Sequence, residues 1–218
     1  MSERRKHLEF LRETARDAIW AGDYERALTL YDDGLALARS WKDRDLEDLF
    51  TCNRATTLIE MDRQDFDLSR IKEILLRNSS SPNGVLAAYV AANAHEARAE
   101  YGRARFYAQT ALQKSRELGL DELTGTSLNL LANLELHESR FEEAESWGQS
   151  ALALGSEFGR NDVVKNSHYL LAETYSEMGR EAEADEHYEA LAHYYPDFPE
   201  LKHYLHQISL MGMINLRA

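Results

Sequence analysis

The sequence predicts an all-α protein, a tandem array of antiparallel helix pairs, on three observations. A pattern of aromatic and small residues recurs along the chain, and its last three copies are spaced 40 residues apart. A single helix pair cannot bury its own apolar face, so copies of this kind must stack. Only 3 prolines occur in 218 residues, which suits a mostly helical chain because proline inside a helix costs about 3 kcal/mol.

The repeat is read by aligning residues 22–35, 99–112 and 139–152. An aromatic recurs at Tyr24, Tyr101 and Phe141, a small residue at Ala27, Ala104 and Ala144, and another at Gly34, Ala111 and Ala151. A fourth copy over 179–192 keeps Ala184 and Leu191 in register but has Glu181 where the aromatic is expected. The small residues fall where the two backbones approach most closely, and the aromatic fills the space beside them. Large residues close the second helices at Leu118, Phe158 and Phe198, with Trp41 as the first copy's counterpart. Gly119 and Gly159 suit left-handed helix C-caps. Asp121 and Asn161 are good N-cap residues for the helices that follow.

These signals predict helix pairs at 3–21 with 24–41, 44–62 with 66–77, 84–100 with 103–118, 121–138 with 141–158, and 161–178 with 181–195. A last helix is expected from about 199 to 212. The second copy is degenerate: Phe66 opens a short helix through Ile71, Ile74 and Leu75. Asn78-Ser-Ser-Ser-Pro82-Asn83-Gly84 then reads as an exposed loop, or alternatively as a flexible joint between the first two repeats and the last three.

Gly22-Asp23-Tyr24 followed by Ala27 resembles the hairpin-turn pattern of the tetratricopeptide repeat (TPR) family, and the resemblance covers nearly the whole chain. The 40-residue spacing is similar to the longer variant found in kinesin light chains and in the sensor parts of some bacterial regulators. The resemblance implies a right-handed TPR-type α-solenoid over 1–198 with five helix-turn-helix repeats, at about 3–41, 44–77, 84–118, 121–158 and 161–195. A C-terminal capping helix and tail would occupy 199–218. It further implies a concave face lined by the first helix of each repeat, and a function in protein–protein interaction.

Composition narrows the function. The chain is 44% hydrophobic and 29% charged, as a folded domain should be. Cys52 is the sole cysteine, so no disulfide framework exists. The chain enters a charged helical pattern at once and has no apolar run long enough to span a bilayer. The expectation is a cytoplasmic protein without membrane insertion. Net charge is −13. Residues 1–80 hold 14 basic and 17 acidic groups and residues 81–218 hold 11 and 21, so the acidity is concentrated in the later repeats. Such a surface repels phosphate backbones and excludes nucleic acid as the expected partner. It is read either as a solubility device or as a preference for basic partners.

No catalytic motif emerges. His95-Glu96 lacks a second histidine at metalloprotease spacing, and there is no phosphate-binding loop and no Gly-x-Ser-x-Gly. His203 and His206, preceded by His187 and His193, imply no convergent carboxylate or thiolate, so no metal, cofactor or enzymatic activity is expected.

Carrying the register across the first helices gives the candidate partner contacts. Asn93 and Asn133 occupy one position, with Arg16 and Glu173 in the first and last copies. Tyr89, Asn129 and Tyr169 lie one turn earlier, Thr126 and Asn166 sit three residues before Asn129 and Tyr169, and His137 lies one turn after Asn133. A carboxamide donates and accepts together, so it can pair with both groups of an extended peptide backbone. Asparagine is also a poor mid-helix residue, so two in register ask for a reason: a peptide contact, or a tie between repeats. The lysines and arginines that a carboxylate-binding TPR needs are missing from these positions in repeats 3–5.

The leading expectation is therefore a non-catalytic adaptor that binds an extended peptide in the concave groove through Tyr89, Asn93, Asn129, Asn133, His137, Asn166, Tyr169 and Glu173. The alternatives are a peptide- or ligand-sensing regulatory module and a self-associating scaffold. For the scaffold, Ile208, Leu210, Met211, Met213, Ile214 and Leu216 exceed the one apolar stripe that a capping helix needs.

Overall fold

The computed structural model describes residues 3–63 and 65–195. These form ten helices and no strand. In chain order they are α1 (Glu3–Trp20), α2 (Tyr24–Ser40), α3 (Arg44–Glu60), α4 (Leu68–Arg77), α5 (Pro82–Glu96), α6 (Tyr101–Leu118), α7 (Asp121–His137), α8 (Phe141–Glu157), α9 (Asn161–Glu177) and α10 (Glu181–Ala192). None of them is long and apolar enough to cross a membrane. The expected last helix, the apolar cluster beyond Ile208, Phe198, His203 and His206 all lie outside the described residues.

The turns carry the repeat. A left-handed residue ends the first helix of each pair, at Gly22, Asp62, Ala99, Ser139 and Gly179. The intervals are 40, 37, 40 and 40 residues. A second left-handed set ends the second helices at Lys42, Gly119 and Gly159. Gly119 and Gly159 thus cap their helices as expected. Asp121 and Asn161 do not act as N-caps: Leu120 and Arg160 hold the cap positions without a side-chain hydrogen bond, and the two polar residues begin the helices themselves. At the first of these, Leu120 packs its side chain into the core between α4, α5 and α6.

Ala99 (φ 55°) occupies a conformation that crowds a Cβ and leaves glycine unstrained. Ala99→Gly should therefore raise stability by about 0.5–1 kcal/mol. Thermal denaturation should show a rise in Tm of about 2–4 °C.

Each helix packs on its predecessor and successor along most of the chain, and α3, α5, α7 and α9 also pack on one another as an inner row. Alanine makes this close stacking feasible: Ala87, Ala88, Ala91, Ala92 and Ala94 of α5 are all fully buried. Leu131, Leu134, Leu170 and Leu171 fill the space between the later pairs, each contributing about 1.5–3 kcal/mol by burial. The small residues of the repeat sit where expected. Ala104, Ala111, Ala144 and Ala151 are buried, and the ring of Phe50 lies directly on Gly34.

The second repeat departs from the others. Helix α4 has 10 residues where most of the others have 17 or 18, and it packs chiefly on α5 rather than on its own partner α3. It starts at Leu68 because the Asp67 carboxylate accepts from the Ser69 and Arg70 amides at 2.9 and 3.1 Å. The expected start at Phe66 is thus displaced by a side-chain cap. A long-range ion pair then holds α4 to α3. The buried Asp48 carboxylate accepts from Arg77 Nη2 at 2.6 Å and from Asn78 Nδ2 at 2.7 Å.

The 78–84 stretch is exposed at Ser79, Ser80 and Pro82, as expected, but the loop ends at Ser81 and is tied down rather than loose. Ser81 is the N-cap of α5 and Pro82 its first residue, a position that proline favours because its missing amide is not needed there. Asn83 Nδ2 donates to the Asp45 carbonyl at 2.8 Å, and Lys114 Nζ to the Ser79 carbonyl at 2.5 Å. The segment is a capped turn tied to α3 and α6.

Candidate functional site

The inner row of helices lines a cavity of about 770 Å³ that runs from α1 to α9. Arg16 and Ile19 border it from α1, Thr56 and Glu60 from α3, and Tyr89, Asn93 and Glu96 from α5. Helices α7 and α9 supply most of the remainder, including Thr126, Asn133, His137, Asn166, Tyr169 and Glu173. All eight residues expected from the register line this one cavity.

They do not all present free groups. Asn129 is 2% exposed. Its Nδ2 donates to the Val163 carbonyl at 3.0 Å, and its Oδ1 accepts from the Ser167 hydroxyl at 2.9 Å. Both halves of the amide are spent on joining α7 to α9, so the contact role expected of Asn129 gives way to a tie between repeats. The partner, Val163, is one turn from the start of α9, where its carbonyl also accepts from Ser167 Oγ. Asn93 back-bonds within its own helix, Nδ2 to the Tyr89 carbonyl at 2.9 Å. This holds the amide group against the groove wall. Asn133 donates to Glu96 across the α5–α7 boundary. Asn166 and Tyr169 are largely buried and border the cavity by an edge.

His137 stacks on Tyr101 with ring centroids 5.8 Å apart, and its Nε2 lies 3.8 Å from Glu96 Oε1. Burial lowers its pKa. Glu173 accepts from the Tyr188 hydroxyl at 2.6 Å, so α10 fixes its orientation from behind. His95, beside Glu96 in sequence, belongs elsewhere: it stacks on Tyr107 and contacts Glu100 at 2.6 Å. Among the described residues no group of three metal-ligating side chains converges.

The register missed two carboxylates. Glu96 stands one residue off the groove line, so its equivalents Leu136 and Ser176 give no signal. Glu60 belongs to the repeat followed by the 37-residue interval, which puts it out of phase with a 40-residue frame carried from the later copies. Its correct equivalents, two residues before each left-handed turn, are His137 and Glu177, and aligning on the turns would have found it.

These two differ electrostatically from the acids farther along. Glu122 and Asp162 share the Arg160 guanidinium. Glu60 has no ion pair among the described residues, and its Oε2 is buried without a hydrogen-bond partner. Burial pushes the Glu60 carboxyl up to about 8. Glu96 is pushed up to about 7 by burial, against the lowering effect of the Asn133 amide. Both acids act on Tyr89, whose phenol is pushed up to about 12 mainly by its own burial.

A second, smaller cavity of about 470 Å³ opens between α2, α3 and the start of α4, where the short helix leaves space. Its arginines are occupied: Arg54 pairs with Asp32 at 2.7 Å and Arg39 with Glu47 at 3.1 Å.

Comparison with known proteins defines the class. Residues 123–192 match the tetratricopeptide repeat family model. A Rap protein complexed with competence and sporulation factor superimposes with a TM-score of 0.75 over 84% of this chain, at 14% identity. The chain spans 52% of that protein's length. Two structures of putative kinesin light chain TPR-like repeats from Podosopora anserina give TM-scores of 0.60 and 0.57 at 16% and 15% identity. They cover 88% and 92% of this chain, and 96% and 100% of their own. No curated protein sequence matches the chain. Residues 123–192 are thus similar to tetratricopeptide repeats in sequence, and the described chain as a whole has the all-α repeat fold of these structures. No catalytic family is indicated.

Proposed function

We propose that the chain is a non-catalytic adaptor that holds an extended peptide segment of a partner protein in the concave groove. One observation carries the reading: a single cavity of about 770 Å³ crosses the inner helices and is walled by carboxamides, phenols and carboxylates rather than by leucines alone. An extended segment brings unpaired backbone donors and acceptors, and a polar wall can satisfy them where an apolar one would leave them stranded. Asn93, Asn133, His137, Asn166, Tyr169 and Glu173 are the contacts we assign, with Tyr89 and Asn129 shaping the wall. The similar Rap protein is complexed with competence and sporulation factor, which favours a peptide over a folded surface as the ligand here. The buried free thiol of Cys52 suits a reducing compartment, and the reading places the adaptor in the cytoplasm.

The test is partner capture from the source lysate by the wild type and by Asn93→Ala/Asn133→Ala, after circular dichroism shows equal helix content. Loss of the captured partner in the double variant is expected. Retention of the same partner by both proteins would remove these amides from the contact surface.

A further inference from the structure

A groove acid without a partner names the chemistry of the ligand. We infer that Glu60 and Tyr89 form a receptor for one cationic group, the guanidinium or ammonium of an arginine or lysine side chain on the bound peptide, with Glu96 adding negative charge along the same groove. This inference rests on the groove reading above and deepens it.

Three observations support it. First, Glu60 Oε2 is buried on the cavity wall with nothing to satisfy it among the described residues. A buried carboxylate oxygen without a donor costs free energy in the empty protein, and a ligand that supplies the donor recovers it. Second, no basic residue of the groove neutralises these acids. Arg16 lines the cavity but makes no ion pair with Glu60 among the described residues, while Glu96 has only the Asn133 amide and a histidine 3.8 Å away. Third, Tyr89 lies within the electrostatic reach of Glu60, so an aromatic ring stands near this carboxylate. A cation can rest against such a ring while it pairs with the carboxylate.

The charged and titratable groups around this point come from every neighbouring helix: Arg12 and Arg16 of α1, Tyr31 of α2, Glu60 itself on α3, Tyr89 and Glu96 of α5, and Glu122 and His137 of α7. Tyr31, like Tyr89, is raised to about 12 and stays neutral through the ordinary range. The two carboxyls, raised to about 8 and about 7, titrate within it. A guanidinium entering the site binds ionised Glu60 and releases its proton, so its affinity rises with pH.

The experiment uses fluorescent seven-residue peptide libraries, acetylated and amidated, randomised except at the centre, which is fixed as arginine, glutamine or glutamate. Binding is read by anisotropy at pH 6.0 and pH 8.5. The arginine library is expected to bind at least about tenfold more tightly than the glutamine library at pH 8.5, with the glutamate library weakest. The arginine preference should shrink at pH 6.0, and Glu60→Gln should abolish both the preference and its pH dependence. Equal binding of the arginine and glutamine libraries, or an arginine preference unchanged in Glu60→Gln, would overturn the inference.

A groove-filling variant, Thr126→Trp, separates this from the adaptor reading. If Thr126→Trp abolishes peptide binding and Glu60→Gln leaves it intact, the groove stands and the cation receptor falls. If Thr126→Trp leaves binding intact, the groove reading falls as well. Competition by arginine amide alone, as strong as that by the arginine library, would overturn the peptide as source in favour of a free small cation.

Discussion

Replacing Gly84 with valine should cost the protein about 3 kcal/mol or more and disrupt the junction between the second and third repeats. A Cβ at this position would collide with the Asn78 backbone carbonyl, and backbone cannot turn aside as a side chain can. That carbonyl also accepts from the Ser81 amide at 3.0 Å, so displacing it loosens the N-cap of α5 together with the end of α4. The damage spreads further because Asn78 is bonded to Asp48 and so fixes α4 on α3. Stability in a stack is a sum of repeats and the interfaces between them. Weakening this interface should therefore make unfolding less cooperative. Urea denaturation followed by circular dichroism should show a lower midpoint and a reduced m-value or a second transition for Gly84→Val. A single transition with the wild-type midpoint would contradict the account of this turn.

The second large effect concerns Glu60 and has an unusual sign. Its carboxyl, ordinarily ionised near 4.5, is held protonated up to about 8 in the folded chain by burial. Between those values the folded protein keeps a proton that the unfolded chain has released, so stability falls as pH rises through that window. Glutamine has nearly the same shape and no charge to desolvate. Glu60→Gln should match the wild type near pH 4.5 and exceed it at pH 9 by several kcal/mol.

The histidines act in the opposite direction. His168 and His187 face each other with Nδ1 atoms 2.8 Å apart, and burial with the neighbouring ring lowers His168 to about 4. Above 6.5 they contribute no pH dependence. As pH falls from 6.5 to about 4 the unfolded chain takes up protons first, and stability is lost. The wild type should thus be most stable in mildly acidic solution, with Glu60→Gln extending the plateau to higher pH. Chemical denaturation at a series of pH values reads both limbs. A variant less stable than the wild type at pH 9 would show that Glu60 is a structural partner rather than a group held ready for a ligand.

These two sites also mark where the fold was legible in the sequence and where it was not. The hairpin turns, the buried alanines and the interval of 40 residues recur, and each recurrence reflects one local demand: a left-handed turn or a close backbone approach. Residues such as Ala104 and Gly119 could therefore be placed with their roles attached. The second repeat could not, because its shape depends on pairings distant in sequence. Asp48 meets Arg77 and Asn78 some thirty residues away, and no periodicity announces that. A run of serines around Pro82 resembles a loose loop until Ser81 and Pro82 are seen as a cap.

The groove residues divide in the same way. The register located the inner wall, since the side of a helix that faces a groove is a matter of phase. It could not say that Asn129 turns its amide to Val163 in the next repeat, and it passed over Glu60 and Glu96. Glu60 matters because its buried Oε2 lacks a partner among the described residues, and Glu96 because only the Asn133 amide and a histidine 3.8 Å away address it.

The central claim is that the partner lies in the groove, and site-specific photo-crosslinking tests it most directly. A benzophenone amino acid is placed at Glu177, an exposed residue at the edge of the groove, or at Phe106, which is exposed on α6 outside the inner row. Each protein is irradiated with the captured partner. The account predicts a covalent adduct from position 177 and none from position 106. An adduct from 106 with none from 177 would place the partner outside the groove and contradict it.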